Sequence, residues 1–182
     1  MIIGLSGYAQ SGKDTVAQIL VEDYGYTRVA FADKLRELLF AMDPPVGIDN
    51  HTVGLQNYVE VYGWDVAKQH PHVRSMLQNL GLGARQLFGP QFWINEAMKS
   101  MLNDPRPDLK YVITDVRFIN EADMVKANNG QVWRVKRDSV RPVNGHVSES
   151  QMDDYQVDQI LKNDGSIEEL KELIKVRMHG FS

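Results

Sequence analysis

The chain has 182 residues, of which 43% are hydrophobic and 24% charged, and this length suits one well-buried core. Its formal net charge of −4 argues against a polynucleotide or an acidic membrane as partner, because such partners usually meet a concentrated basic face. The absence of cysteine excludes disulfides, thiolate metal sites and cysteine nucleophiles, and no apolar stretch approaches the length of a membrane span.

The first residues carry a motif that predicts phosphate binding. Residues 7–13 read Gly-Tyr-Ala-Gln-Ser-Gly-Lys and match G-x-x-x-x-G-K, the pattern of loops that surround nucleotide phosphates. Residues 2–5 before it predict a buried strand, and the apolar spacing of residues 16–20 predicts a helix. An ordinary Gly/Ser-rich turn is the alternative, but both flanks favour a phosphate loop. We expect the nucleotide phosphates to be held by Gly7, Ala9, Gln10, Ser11, Gly12, Lys13, Asp14 and Thr15.

One position departs from the standard motif. A Ser or Thr normally follows the lysine and contacts Mg²⁺, but this chain has Asp14 there and Thr15 next. A carboxylate suits a hard cation. We therefore expect Asp14 to bind Mg²⁺ directly or through water, and Thr15 to contact a phosphate.

Strands and helices are predicted to alternate along the rest of the chain. Further strands are expected at 26–31, 111–115, 131–135 and, with a weaker pattern, 157–161. Helices are expected after an Asp33 cap up to Asp43-Pro44, at 55–62, 73–87, 92–101 and 121–128, and after the capping box of Ser166 and Glu169. Residues 46–103 show no convincing strand, and their helical patches are broken by Gly63, Pro71, Gly81, Gly83 and Gly89-Pro90.

This order of elements predicts an α/β fold with a five-stranded parallel sheet and helices on both faces. Ligands of such sheets bind outside the carboxyl ends of the strands. The phosphate loop, Asp115 and the turn at Asn163 should therefore share one edge. We expect a single domain over residues 1–182, with a helical insertion at about 46–103 that covers that edge.

Acidic and basic residues near this edge are the candidates for chemistry. Asp115 ends a mostly apolar strand, where a phosphate-loop enzyme holds Mg²⁺. Phosphoryl transfer also needs positive charge around the transferred group. We favour Arg117, two residues after Asp115, and Arg85 for this role, and weigh Arg137 equally against a solvated side chain. The remaining arginines of this kind, which we expect to be solvated, are Arg28, Arg36 and Arg141.

Three further stretches have both a functional and an ordinary interpretation. The aromatic residues of 88–93 could stack on a base, but such pairs more often belong to a core. His146, Ser148 and Glu149 offer an acid/base pair and a hydroxyl, or a surface turn before a helix. The turn at Asn163 could contact a nucleobase, or simply precede the last helix.

Read together, the motifs resemble the phage-type deoxynucleoside monophosphate kinases. The residues that carry the resemblance are 7–15, 31–35, 77–85, 88–93, Asp115-Val116-Arg117-Phe118-Ile119-Asn120-Glu121, His146-Val147-Ser148-Glu149 and Asn163-Asp164-Gly165-Ser166. They span nearly the whole chain in the expected order. One departure is Gly81-Leu82-Gly83, where a Gly-Thr pair is expected.

The resemblance implies a phosphate-loop (P-loop) kinase fold, with Mg-ATP as donor and a deoxynucleoside 5′-monophosphate (dNMP) as acceptor. It implies that Lys13, Arg117, Asp115 and Arg85 act in catalysis, and that Asp14 and Asp115 hold the metal. Arg137 and Asn163 would join the phosphate loop in binding ATP. Substrate contacts are implied for Asp33, Lys34, Arg85, Trp93, Arg117 and Glu121.

Three other functions stay open. The chain could phosphorylate another small phosphorylated acceptor, such as dephospho-coenzyme A or phosphomevalonate. It could be a nucleotide-sensing switch, although the guanine-reading Asn-Lys-x-Asp motif is absent, or an ATPase module of a larger assembly. With no charged leader at the N-terminus, we expect a cytoplasmic protein (in the host cytoplasm if phage-encoded), either a monomer or a homodimer.

Overall fold

The structure is a computed structural model that describes residues 1–106, 109–141 and 151–180. The chain forms two compact units, one of Met1–Ala30 with Asn103–Ser182 and one of Phe31–Leu102. In chain order the elements are β1 (Ile2–Ser6), α1 (Lys13–Tyr24), β2 (Tyr26–Val29), α2 (Phe31–Met42), β3 (Pro45–Ile48), β4 (His51–Gly54), α3 (Leu55–Ala67), α4 (Pro71–Phe88), α5 (Phe92–Leu102), β5 (Lys110–Ile113), α6 (Ile119–Ala127), β6 (Gln131–Lys136), β7 (Gln159–Lys162) and α7 (Ile167–His179).

The first unit is built on a five-stranded parallel sheet in the order β2-β5-β1-β6-β7, which confirms the predicted sheet. β1 lies at the centre, with Gly4 opposite Ile113 of β5 and Val132 of β6. All five residues of β1 are buried, because helices cover the sheet on both sides.

Alternate residues of β1 face opposite layers. Ile3 and Leu5 belong to the buried cluster that includes residues of α1 and α7. Gly4 points the other way: a Cβ atom there would lie 2.9 Å from Val116 Cγ2 and 3.0 Å from Cγ2 of Val125 in α6. The strand therefore separates two helical layers, as the sequence predicts.

The carboxyl ends of parallel strands meet at one edge of the sheet. The loop of residues 7–12 follows β1, residues 114–118 follow β5, residues 137–141 follow β6, and Asn163 follows β7. The phosphate loop and Asp115 therefore lie at the edge where such sheets bind ligands.

The last helix begins with the predicted capping box. Ser166 Oγ accepts a hydrogen bond from Glu169 N at 3.2 Å, and Glu169 Oε2 accepts one from Ser166 N at 2.8 Å. The pattern is local in sequence, so it could be recognised without any tertiary information.

The second unit contains a hairpin that the sequence interpretation missed. β3 and β4 pair antiparallel inside the range where no strand was expected, with Val46 opposite Val53. Each strand has four residues, and only Val46 is buried. Strands this short show too little alternation for a period of two to be recognised.

The helices of the second unit correct two other predictions. α4 runs without a break through Gly81 and Gly83, because tertiary packing tolerates a helical glycine: a Cβ on Gly81 would meet Leu35 at an ordinary 3.7 Å. α2 begins at Phe31, so Asp33 lies in its first turn rather than at the cap. The predicted break at Gly63 is confirmed by its non-helical backbone (φ 77°, ψ 161°).

This unit has its own buried cluster of Leu39, Val46, Leu55, Ala67 and Val73. Among the described residues, no helix is long and apolar enough to cross a membrane.

Candidate functional site

The loop between β1 and α1 has three residues with positive φ angles. Gly7 and Gly12 have φ angles of +132° and +100°, and Gln10 lies at +65°. A Cβ atom on Gly7 would collide with the carbonyl oxygen of Val135. Glycine is therefore required at Gly7 for both its conformation and its close approach to β6.

Lys13 begins α1 and turns back over the loop. Its Nζ donates hydrogen bonds to the carbonyl oxygens of Gly7 and Tyr8, both at 2.8 Å. The ammonium is thus held at the loop itself. Phosphate oxygens are stronger acceptors for it, because both partners are then charged.

Asn163 supports the loop from β7. Its Nδ2 donates to the carbonyl oxygen of Ser11 at 2.9 Å, and its backbone N–H donates to Lys136 O at 2.8 Å. The structure therefore brings Asn163 to the backbone of the predicted phosphate loop. Its predicted contact with the donor base stays a prediction.

A cavity of about 370 Å³ opens beside the loop. Its walls include the loop residues Gly7, Tyr8 and Ser11. The charged residues that line it are six cationic ones (Lys13, Arg117, Arg134, Lys136, Arg137 and Arg141) and two acids (Asp138 and Asp153). In a chain with a net charge of −4, this excess of positive charge is suited to polyanionic phosphates.

Two of these arginines bind backbone carbonyl groups. Arg134 donates to the carbonyl oxygens of Met152, Asp153 and Tyr155, the last two at 3.1 and 3.0 Å. Arg141 donates to Asp138 O at 2.7 Å. Both arginines therefore hold the backbone of the cavity wall and also contribute positive charge to it. Arg134 was not among the predicted site residues.

Two more cavity residues from the predicted set are Arg117 and Arg137. Both side chains are exposed, and they follow β5 and β6 respectively. The structure thus places Lys13, Arg117 and Arg137 around one cavity, as expected for residues that neutralise a transferred phosphoryl group.

Tyr8 and Asp153 both line the cavity and are joined by a hydrogen bond. Its hydroxyl donates to Asp153 Oδ1 at 2.9 Å. Burial and this hydrogen bond raise the pKa of Tyr8 above its usual value. The contact joins residues 145 positions apart, and no local pattern could have revealed it.

The two predicted metal ligands follow neighbouring strands. Asp14 is exposed in the first turn of α1, and Asp115 is half-buried after β5. Backbone bonds on either side of Asp115 fix its place, from Thr114 N to Val29 O and from Val116 N to Leu5 O, both at 3.0 Å.

Two carboxylates are the number and type of ligand compatible with a magnesium ion that is bound mainly by phosphates. The described part of the chain holds no group of three or more potential metal-ligating residues. Mg²⁺ usually takes one or two carboxylates together with substrate phosphates and water. Asp14 and Asp115 are a suitable pair for that mode.

Glu121 is buried at the start of α6. Its Oε2 accepts hydrogen bonds from the backbone N–H groups of Arg117 at 2.8 Å and Phe118 at 3.0 Å. The carboxylate thus fixes the backbone that carries Arg117 into the cavity. Its predicted contact with substrate stays a prediction.

Four predicted residues lie in the second unit. On α2, Asp33 pairs with Arg36 at 3.3 Å and Lys34 with Glu37 at 2.6 Å. Trp93 is only 6% exposed, and its Nε1 donates to Gly81 O at 3.0 Å, so it packs inside the unit. Arg85 is half-buried on α4. His146, Ser148 and Glu149 lie outside the described residues.

Comparison with known proteins points to one family. The family described as deoxynucleotide monophosphate kinase matches residues 49–174. A putative deoxynucleotide monophosphate kinase of Acanthamoeba polyphaga mimivirus is 30% identical over 186 residues, which cover 93% of this chain and 91% of that protein. The deoxynucleotide monophosphate kinase of Escherichia phage RB69 is 28% identical over 100 residues, or 54% of this chain and 41% of that protein.

Similarity to solved structures is more distant. Shikimate kinase from Aquifex aeolicus aligns with a TM-score of 0.49 and 13% identity, over 99% of this chain and 97% of that one. Dephospho-CoA kinase from Campylobacter jejuni aligns with a TM-score of 0.49 and 14% identity, over 98% of this chain and 96% of that one.

Proposed function

The chain belongs to the deoxynucleotide monophosphate kinase family, and on that premise we propose that it transfers the γ-phosphoryl group of Mg-ATP to a dNMP, releasing ADP and a deoxynucleoside diphosphate. As a member of this family it is a phosphotransferase with a nucleotide monophosphate as acceptor. The observation that supports the specific reaction is the cavity beside the phosphate loop, with six cationic residues in its walls.

Charge neutralisation is the main task of these residues. The transferred group spreads negative charge over its oxygens, so the protein must position it and supply positive charge. We assign the binding of the donor phosphates to the loop of residues 7–15, which includes Lys13. Arg117 and Arg137 then face the transferred group.

The acceptor needs no general base from the protein. A phosphate oxygen of a nucleoside monophosphate is already a competent nucleophile near neutral pH. The lone pair of that oxygen forms the new P–O bond while the bond to the ADP oxygen breaks, and the pair of that bond leaves with ADP.

We assign the magnesium ion to Asp14 and Asp115. When bound with the nucleotide, the ion would supply positive charge to the phosphate oxygens. The acidic residue that replaces the usual Ser or Thr after the lysine is compatible with this assignment.

The remaining residue assignments rest on the family. We propose that Asp33, Lys34, Arg85 and Trp93 of the second unit serve the acceptor. The proposed partners are small nucleotides, not polynucleotides or membranes. Both curated relatives are viral proteins, which supports an enzyme of the host cytoplasm.

The test measures ADP release from Mg-ATP by the purified chain. Each dNMP and each ribonucleoside monophosphate (NMP) is supplied separately, with a control that contains no acceptor. Anion-exchange chromatography should show the matching diphosphate in amounts equal to the ADP. We expect one or more dNMPs to stimulate turnover strongly. Equal turnover without acceptor would indicate an ATPase, and activity only with other phosphorylated acceptors would refute the substrate assignment.

Lys13→Ala is the matching loss-of-function variant. It removes the charge at the phosphates, and we expect transfer to fall by a factor of about 10²–10³, as when a preorganised charge partner is lost. Lys175→Ala is the control, since Lys175 pairs only with Glu172 on the surface of α7 among the described residues. Near-normal activity of Lys13→Ala would contradict the assigned role.

A further inference from the structure

The turn that follows β7 contacts two parts of the site through side chains. Asn163 Nδ2 donates to Ser11 O at 2.9 Å, within the phosphate loop. Asp164 Oδ1 accepts from Asp138 N at 2.7 Å, within the segment after β6. The backbone of Asn163 is itself fixed to β6 through Lys136 O. A two-residue turn thus connects the loop with the cationic side of the cavity.

The contact with the loop is a tight one. Gly12 has a φ of +100°, and a Cβ atom on it would collide with Nδ2 of Asn163. The amide therefore fills the space where a side chain at Gly12 would stand. Asn163 is half-buried, and its hydrogen bond to Ser11 spans 152 positions of sequence.

This hydrogen bond determines the direction of one donor in the loop. The described peptide bonds are all trans, and in a trans peptide the C=O and the following N–H point in opposite directions. With the carbonyl of Ser11 held toward Asn163, the N–H of Gly12 must point away from it. In loops that bind phosphate, backbone N–H groups turned to the concave side of the loop meet the phosphate oxygens.

The second contact holds the cationic segment of residues 137–141. Val140 N donates to Arg137 O at 3.0 Å, and the guanidinium of Arg141 donates to Asp138 O at 2.7 Å. Residues 137–141 are therefore bonded to one another. Asp164 holds this segment by the N–H of Asp138, and with it two arginines of the cavity.

Neither side chain is used to begin the next helix. Ser166 and Glu169 cap α7 by their own reciprocal hydrogen bonds. Helix capping therefore does not account for Asn163 and Asp164 at these positions.

We propose that the Asn163–Asp164 turn is a positioning element for phosphoryl transfer. Asn163 fixes the N–H of Gly12 toward the donor phosphates, and Asp164 fixes the distance between the phosphate loop and Arg137 and Arg141. In this role both act through other residues, the loop backbone and the two arginines. The inference rests on the proposed function, because it assigns these residues to the same site.

The first experiment compares Asn163→Ala and Asn163→Asp with the wild type in the full chain. We expect Asn163→Ala to raise the KM for ATP by about three- to tenfold, in line with one lost hydrogen bond, and to leave the KM for the dNMP within about twofold. Asn163→Asp should be worse, since it is nearly isosteric but places a negative charge beside a carbonyl oxygen and the phosphates.

Asn128→Ala is the matched control. Asn128 Nδ2 also donates to a backbone carbonyl at 2.9 Å, that of Met124 at the end of α6. If the effect were only structural, both alanine variants would lower thermal stability and leave the kinetics of the folded protein unchanged. That result, or an Asn163→Asp variant as active as wild type, would overturn the proposal.

The second experiment tests whether the contact of Asn163 with Ser11 and the contact of Asp164 with Asp138 serve one shared function. In the double variant Asn163→Ala/Asp164→Ala, the loss of kcat/KM should be smaller than the product of the two single losses, because the two side chains are the two ends of one connection between the loop and the segment. Independent roles would instead multiply the two losses, and a multiplied loss would refute a shared function.

A binding measurement separates this proposal from the proposed function. Calorimetry with inorganic tripolyphosphate requires no acceptor and no turnover. We expect Asn163→Ala to weaken tripolyphosphate binding by about three- to tenfold, the same loss as for ATP. If the wild type transfers nothing to any dNMP, the substrate assignment fails, but this measurement still decides the role of Asn163. Equal tripolyphosphate binding by wild type and Asn163→Ala would overturn that role.

Discussion

Gly12→Ala is the substitution whose cost follows most directly from the structure. Gly12 caps the N-terminus of α1 with φ 100° and ψ 20°, in the left-handed region. An added Cβ would collide with Asn163 Nδ2, the group that donates to Ser11 O. The variant therefore combines backbone strain with the displacement of a side chain that supports the loop.

The two contributions can be estimated separately. A left-handed conformation costs a non-glycine residue about 1–2 kcal/mol. Loss of the hydrogen bond of Asn163 adds about 1 kcal/mol. We expect the free energy of unfolding to fall by roughly 2–3 kcal/mol, and Tm to fall by roughly 5–10 °C for a domain of this size.

Gly25→Ala at the other end of the same helix is the matched control. Gly25 is also left-handed, with φ 71°, but a Cβ there would meet nothing within 4 Å. It should cost only the strain, about 1–2 kcal/mol. In Gly12→Ala/Asn163→Ala the collision partner is gone, so the second substitution should cost less than in the wild type.

Urea unfolding followed by far-UV circular dichroism gives the free energies of the wild type, Gly12→Ala, Gly25→Ala, Asn163→Ala and Gly12→Ala/Asn163→Ala. A loss in Gly12→Ala no larger than in Gly25→Ala would refute the reasoning. Strict additivity of Gly12→Ala and Asn163→Ala would also refute it, because the collision predicts coupling between the two sites.

Three other expectations concern single side chains. Glu121→Ala should lower the free energy of unfolding by roughly 2–4 kcal/mol, measured in urea, because two partly buried N–H groups lose a charged acceptor. Burial and a hydrogen bond to Asp123 raise the pKa of Tyr155 to about 12, whereas an unfolded tyrosine ionises near 10. The unfolded chain releases this proton first, so stability should fall from about pH 10 to 12, and less steeply in Tyr155→Phe. Trp93→Phe should cost about 1 kcal/mol in urea, since Gly81 O loses its donor.

Each of the three has its own check. Glu121→Gln keeps an acceptor oxygen and should lose less than Glu121→Ala; equal losses would argue against the hydrogen bonds as the cause. For Tyr155, an identical pH slope in wild type and Tyr155→Phe would contradict the expectation. For Trp93, an unchanged unfolding free energy would show that the indole N–H contributes nothing to the unit.

Local patterns in the sequence were enough for a large part of the fold. The strand and helix that flank the glycine-rich loop, the capping box at Ser166 and the five parallel strands were predicted correctly. The family suggested by the ordered motifs is confirmed by the match over residues 49–174. These features depend on a few neighbouring residues, whose spacing reports directly on local geometry and burial.

Other elements could not be predicted because packing overrides local preference. The glycines at 81 and 83 argue for a break, yet α4 continues through both, since the helix is held by its neighbours in the unit. The hairpin of β3 and β4 has four-residue strands with one buried position, too little pattern for recognition.

The sequence by itself determined that a glycine-rich loop with the phosphate-binding motif joins a buried strand to a helix, because motif, strand and helix are contiguous. Only the tertiary structure decided how that loop is supported and charged. Asn163 reaches Ser11 across 152 positions, Tyr8 reaches Asp153 across 145, and Arg134 holds the backbone of Met152 to Tyr155. Such contacts form when distant strands and loops meet at one edge of the sheet, and no spacing along the chain encodes them.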